Sequence, residues 1–185
     1  MGGAQNLLVN GMKQYWMTDE DLEKAADFAP GLPSRDNLGD ASKLTPGSVV
    51  PYVVQAHRAY RAGQHDDIRL GKGKMMSWAT KMGLPEPGGK SVLFQQPEHR
   101  EGYKYFEGTI PMGYGAGEVR RSDLGDVLIT ESNPNKIKFV IAHSRVPSEY
   151  TLVRLGGGKG AIKSKKPAWY MFNTTPTAMG GREKV

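Results

Sequence analysis

From Val49 onward the apolar residues come in short runs separated by Gly, Pro and Asn, a rhythm that predicts strands. The runs place strands near residues 49–57, 66–70, 74–80, 91–95, 104–110, 117–121, 126–131, 136–143, 150–155 and 168–173. The clearest is Lys136 to His143, where Ile137, Phe139 and Ile141 alternate with Lys136, Lys138 and Val140 behind the turn Asn133-Pro134-Asn135. Short strands in such number predict a mainly β fold, a single closed β-barrel. The N-terminal pattern differs. Thr18 with Asp19-Glu20-Asp21 reads as a capped helix start, Leu22, Ala25, Ala26 and Ala29 recur at helical spacing, and Pro30-Gly31 ends the run. The expectation is a short helix over about 18–29 in a flexible arm (1–48), a barrel domain (49–175) and a C-terminal tail (176–185).

Composition changes this picture little. With 185 residues, 38% hydrophobic, 24 Gly and 12 Pro, the chain suits one turn-rich domain. The formal charge of +6 favours a polyanionic partner, nucleic acid first. The absence of cysteine excludes a disulfide scaffold, a thiolate zinc site and a cysteine nucleophile. No apolar run approaches a membrane span and none reads as a signal peptide, so an intracellular, cytoplasmic and reducing setting is expected.

The chemistry concentrates in Tyr52 to Leu70, and above all in His65-Asp66-Asp67-Ile68-Arg69. On a strand, alternation sends His65, Asp67 and Arg69 to one face and leaves Ile68 and Leu70 for packing on the other. An imidazole and a carboxylate make a pair of divalent-metal ligands, and a guanidinium beside them makes a phosphate fork. His57 can return to the same place across a turn at Ala62-Gly63. His-x-Asp alone arises by chance, and a lone histidine is more often a surface or core residue than a ligand. Arg69 on the same face and His57 nearby lift this stretch above that background.

The second candidate cluster is Glu98-His99-Arg100-Glu101-Gly102-Tyr103, in which His99 and Tyr103 could donate to a phosphate oxygen and a histidine could protonate a leaving oxygen. The bland alternative is a polar loop with a tyrosine heading the next strand. Gly156 to Lys166 lacks the Walker spacing and reads as a basic loop, whose Lys159, Lys163, Lys165 and Lys166 supply charge for phosphates without reading sequence.

These motifs form an ordered series: Tyr52-Val53-Val54-Gln55-Ala56-His57, His65-x-Asp67-x-Arg69-Leu70, Ser77-Trp78-Ala79, Glu98-His99 with Tyr103, Phe106 to Pro111, Gly113 to Gly117, and Leu152-Val153-Arg154 with Trp169. The series resembles the 3′-phosphoesterase domain of the bacterial and archaeal end-joining enzyme DNA ligase D. The resemblance implies a β-barrel with one Mn²⁺ that trims DNA or RNA 3′ ends, removing a terminal ribonucleoside and then the 3′-phosphate. It implies His57, His65 and Asp67 as metal ligands, and Arg69, His99 and Tyr103 around the scissile phosphate. Arg35-Asp36 echoes an Arg-Asp pair in the family's N-terminal arm, and a DNA ligase or polymerase and the end-binding protein Ku are implied partners. The sequence departs from the family pattern in its longer gap between His57 and His65. It also carries Asp66 and Ile68 where an aromatic pair is usual, Gly71 in place of an acidic residue, and Thr45-Pro46-Gly47 without the arm's glutamate.

Two rival readings remain in view. An Fe(II)/2-oxoglutarate oxygenase would use His65, Asp67 and His143 as ligands with Arg154 for the cosubstrate. A non-catalytic nucleic-acid-binding β module would explain the charge but has no need of His65, Asp67 and His99.

Overall fold

The computed structural model describes residues 38–113, 115–143, 147–156 and 166–177. The helix expected over 18–29, the arm residues Arg35 and Asp36, and the loop lysines Lys159, Lys163 and Lys165 lie outside the described residues.

The described chain is mainly β. Nine strands follow one another: β1 (Val49–Ala59), β2 (Gly63–Leu70), β3 (Lys74–Thr80), β4 (Lys90–Arg100), β5 (Gly108–Ile110), β6 (Gly117–Asn133), β7 (Lys136–Ile141), β8 (Ser148–Arg154) and β9 (Ala168–Asn173). They pair in the order β1-β2-β3-β4-β9-β8-β7-β6, and β6 pairs back onto β1, so eight strands close into a ring. The short β5 adds to the outer flank of β6 at Gly117–Val119. Ring closure satisfies the backbone groups that an open edge would leave bare.

The core fills the inside of the ring. Val50, Tyr52 and Val54 from β1, Ile68 and Leu70 from β2, and Met76 and Trp78 from β3 meet Leu93, Ile129, Phe139, Leu152 and Trp169 there. Trp78 and Trp169 touch edge to face, 5.8 Å between ring centroids, and truncating either to alanine costs about 3–5 kcal/mol. The segment before β1 closes one end of the ring with Ala41 and Leu44, held by the Gly47 N–H on the Ile129 carbonyl at 2.7 Å. No helix among the described residues is long and apolar enough to cross a membrane.

Two expected elements differ from the sequence pattern. The strand expected over 104–110 is a 3-10 turn at Glu101–Tyr105 followed by the three residues of β5. Its carbonyls are taken by a side chain, because the Gln55 amide donates to the carbonyls of Tyr103 and Phe106 at 3.1 and 2.9 Å. The strands expected over 117–121 and 126–131 are one strand, β6. Gly125, in the gap between the two expected strands, lies opposite Tyr52, and a Cβ there would stand 2.7 Å from His143 Nδ1. The glycine makes room for a ring and does not turn the chain.

Candidate active site

Alternation along β1 and β2 sends Val50, Tyr52, Val54, Ile68 and Leu70 into the core and the odd-numbered residues to the opposite face. His57 stands directly across from His65, Gln55 from Asp67 and Val53 from Arg69, so these side chains share the face turned away from the core. The 3-10 turn and the loop before β6 cover that face: His57 and Asp67 are each 7% exposed and Arg69 is 3% exposed. The longer gap between His57 and His65 becomes a regular hairpin with Gly63 at φ +73, and the two imidazoles meet at 4.7 Å between centroids.

His57, His65 and Asp67 form a cluster with donor atoms all within 4.8 Å of one another. Asp67 Oδ2 lies 3.5 Å from His57 Nδ1, and Asp67 Oδ1 lies 3.5 Å from His65 Nε2. Two imidazole nitrogens and one carboxylate oxygen fit a divalent transition ion and leave it positions for other oxygens. His57 uses its second nitrogen, Nε2, on the Gly115 carbonyl at 2.9 Å, and His65 uses Nδ1 on the Gly63 carbonyl at 3.0 Å. Each ring is therefore oriented by the backbone, as metal-binding histidines commonly are. Burial works against the Asp67 carboxylate, but Arg69, His57 and His65 outweigh it and hold its pKa down at about 2.

Arg69 is fixed on two sides. Its Nη2 donates to Asp67 Oδ2 at 3.1 Å and its Nη1 to Gln55 Oε1, while the guanidinium lies 4.8 Å from the centre of the Tyr103 ring. Its buried Nε–H has no partner among the described residues, and each terminal nitrogen has a second N–H to offer.

His99 reaches this face through an irregularity. Ser77 pairs with Gln96, but two residues earlier Met75 pairs with His99, so β4 carries one extra residue around Pro97. Such a bulge re-aims the side chains beyond it, and proline is tolerated there. His99 Nδ1 lies 3.1 Å from Ser77 Oγ and 3.0 Å from the Pro97 carbonyl. A carbonyl only accepts, so Nδ1 carries the proton of the neutral ring. Burial and the neighbouring Arg69 pull the His99 pKa down to about 3, against the pull of Asp67 and the Pro97 carbonyl. Tyr103 stacks between His99 and Phe106, at 5.3 and 5.0 Å, and burial keeps its phenol protonated.

Lys166 is brought to the edge of the same face, where its ammonium donates to Gln96 Oε1, and desolvation lowers its pKa. His143 is not brought in. It sits 2.8 Å from Asp123 with its ring toward the interior Tyr52, so the ligand set of an oxygenase is not assembled, and Arg154 ends β8 beside Trp169. Gln55, Ser77 and Gly115 stand within the sequence motifs, but nothing in the sequence assigns them these roles. A glutamine two residues before His57 in an apolar strand was the one available signal for the first.

Residues 55–154 match the DNA ligase D 3′-phosphoesterase domain. That span takes in every member of the cluster except Lys166. The chain belongs to the DNA ligase D 3′-phosphoesterase domain family. It is 30% identical over 159 residues to the multifunctional non-homologous end joining protein LigD of Pseudomonas aeruginosa, which covers 82% of this chain and 17% of the relative's length. Family membership points to phosphoesterase chemistry. Among the departures from the phosphoesterase pattern, Gly71 has a local cause. Its φ is +131, and a Cβ there would stand 2.8 Å from the Lys74 carbonyl oxygen, so this turn demands glycine.

Proposed function

We propose that this chain is a metal-dependent hydrolase, a phosphoesterase barrel spanning 49–175, that trims 3′ ends of DNA or RNA-tailed DNA to leave a 3′-OH. The observation that carries the reading is the His57, His65 and Asp67 cluster set against Arg69, His99 and Tyr103 on one covered face. His57, His65 and Asp67 hold one divalent ion, manganese, which when bound polarises a phosphoryl oxygen and offsets charge gathering on the phosphate.

The remaining roles belong to side chains. Arg69, clamped by Gln55 and Asp67, offers its remaining N–H groups to non-bridging oxygens in a fixed orientation that a lysine could not supply. Tyr103 donates its phenol proton to the same phosphate, where charge builds up in the transition state. His99, held neutral with Nδ1 on the Pro97 carbonyl, stands by the same phosphate beside Tyr103. In the diesterase step a water oxygen joins phosphorus, the bond to the ribonucleoside 5′-oxygen breaks, and that oxygen leaves with a proton. The strand keeps a 3′-phosphate. In the monoesterase step a second water releases that phosphate by breaking the bond to the 3′-oxygen. Lys166, with Lys163 and Lys165 of the same loop and Arg35 and Asp36 of the arm, binds the flanking strand. The setting is cytoplasmic end joining, with a ligase or polymerase and Ku as partners.

The test is a denaturing-gel assay on a 5′-labelled primer–template ending in one ribonucleotide or a 3′-phosphate, with Mn²⁺ or EDTA. Metal-dependent conversion to a 3′-OH, lost in His65→Ala and Asp67→Ala, is expected. Binding without turnover would make the chain a non-catalytic nucleic-acid-binding module.

A further inference from the structure

The ring has two ends, and three of the six large apolar side chains exposed among the described residues sit on loops at one of them. β1 runs toward the end where it meets β2 at residues 60–62, beside His57 and His65. β3 runs the same way and delivers the loop beginning at Lys81, since Thr80 pairs with Asp66 near the start of β2. β5 is antiparallel to β6, which is antiparallel to β1, so β5 also points to this end, and Ile110 and Ala59 pair with the same Gly117. Among the described residues, each of these three adjacent connections carries one large apolar side chain into solvent: Tyr60 at 68% exposed, Met82 at 66% and Met112 at 77%. The other three lie elsewhere: Val49 and Leu128 face each other across a β1–β6 pair, and Tyr105, 54% exposed, ends the 3-10 turn with its ring under Lys104.

Apolar side chains gathered on loops around a polar cluster mark a contact surface. Two features say what the contact is. Two of the loops are tied to the cluster itself: the Tyr60 N–H donates to the Ala116 carbonyl at 2.9 Å, one residue from the carbonyl that holds His57. Exposed cations also alternate with the apolar groups, Arg61 following Tyr60 and Lys81 preceding Met82. Aromatic and flexible apolar side chains interleaved with positive charge are the chemistry of a single-strand platform, where bases stack and the backbone is neutralised alongside.

We propose that Tyr60, Met82 and Met112 form a rim that stacks the unpaired base next to the scissile phosphate. The preferred substrate is then a 3′ terminus whose last bases are unpaired, in preference to a fully paired end. Tyr60 supplies the ring face and the two methionines adapt to whichever base arrives. None of the three reaches the reacting atoms, so they set which ends are accepted and not the rate of the bond-breaking step. This rests on the phosphoesterase reading above.

The test uses the full chain and two primer–templates, each ending in a ribonucleotide, one paired and one mismatched at its terminus. With wild type, lower KM on the mismatched end is expected. Tyr60→Ala should raise KM for that end about tenfold with kcat unchanged, the loss of one base stack, and Tyr60→Phe should restore it. A 5-iodouracil base at the terminal or penultimate position, irradiated in EDTA, should crosslink to Tyr60. Crosslinks mapping away from the three rim residues, or Tyr60→Ala matching wild type on both ends, would overturn the rim while wild-type turnover upholds the hydrolase. Wild type that turns over no 3′ end would overturn both, and is recognised before any variant is made.

Discussion

Gln55 holds Arg69 in place: its amide oxygen accepts from Arg69 Nη1 on one side, while its amide nitrogen donates to two carbonyls of the covering segment on the other. One fully buried side chain thus joins the guanidinium to the lid of residues above it. Gln55→Leu keeps the volume and removes every one of these bonds. It should lower stability by about 1–3 kcal/mol through the groups left unpaired, measured by urea unfolding. Activity should fall roughly 10- to 100-fold, the usual cost of losing an orienting partner. Unchanged kinetics would mean that Arg69 keeps its pose without Gln55.

His99 makes stability depend on pH. The unfolded chain takes up a proton at the ordinary histidine value of 6.5, the folded chain only at about 3. Between those values the unfolded state binds more protons, so stability rises with pH across that window and is lost on acidification. Thermal melts of wild type from pH 7 to pH 4 should fall more steeply than those of His99→Gln. Parallel curves would show that His99 protonates freely in the folded protein.

Metal should stabilise the fold by linkage. At Mn²⁺ one hundredfold above its Kd, unfolding should cost about 2.7 kcal/mol more, read as a rise in Tm that EDTA reverses. Asp67→Asn replaces the carboxylate of the set and should abolish the rise. A rise that survives in this variant would place the ion elsewhere.

Gly117 lies where β1, β5 and β6 converge. Its φ is +152, and a Cβ there would stand 2.2 Å from the Arg58 carbonyl oxygen. Gly117→Ala should therefore cost about 2 kcal/mol or more, by backbone strain next to the cluster. Gly88 also has a positive φ, +79, but nothing within 4 Å of a Cβ. Gly88→Ala should cost only about 1 kcal/mol, so equal losses in the two variants would refute the close approach.

What could be read from the sequence was whatever obeys a period of two. His65, Asp67 and Arg69 share a face because alternation places them there, and His57 joins them because a hairpin folds residue onto residue. The alternation of Ile137, Phe139 and Ile141 likewise became β7. What failed were the places where the period breaks. His99 changes face through an extra residue near Pro97 that no local pattern announces. The turn at Glu101–Tyr105 exists because Gln55, 48 residues away from Tyr103, takes its carbonyls. The gap expected around Gly125 is absent because a glycine that admits a distant ring and one that turns the chain look alike in sequence.

The division of β1 and β2 between two faces has an evolutionary side. Val54, Ile68 and Leu70 answer to the interior, and Gln55, His57, Asp67 and Arg69 answer to the substrate, with scarcely a position serving both masters. Substitutions inside the ring can then drift and compensate one another without moving the reacting groups. The polar face, for its part, can be retuned for new ends or new ions while folding is left alone. The exposed point of such a scheme is alignment: sliding β2 by a single residue against β1 would put Asp66 and Ile68 where the chemistry belongs, and both tasks would fail together.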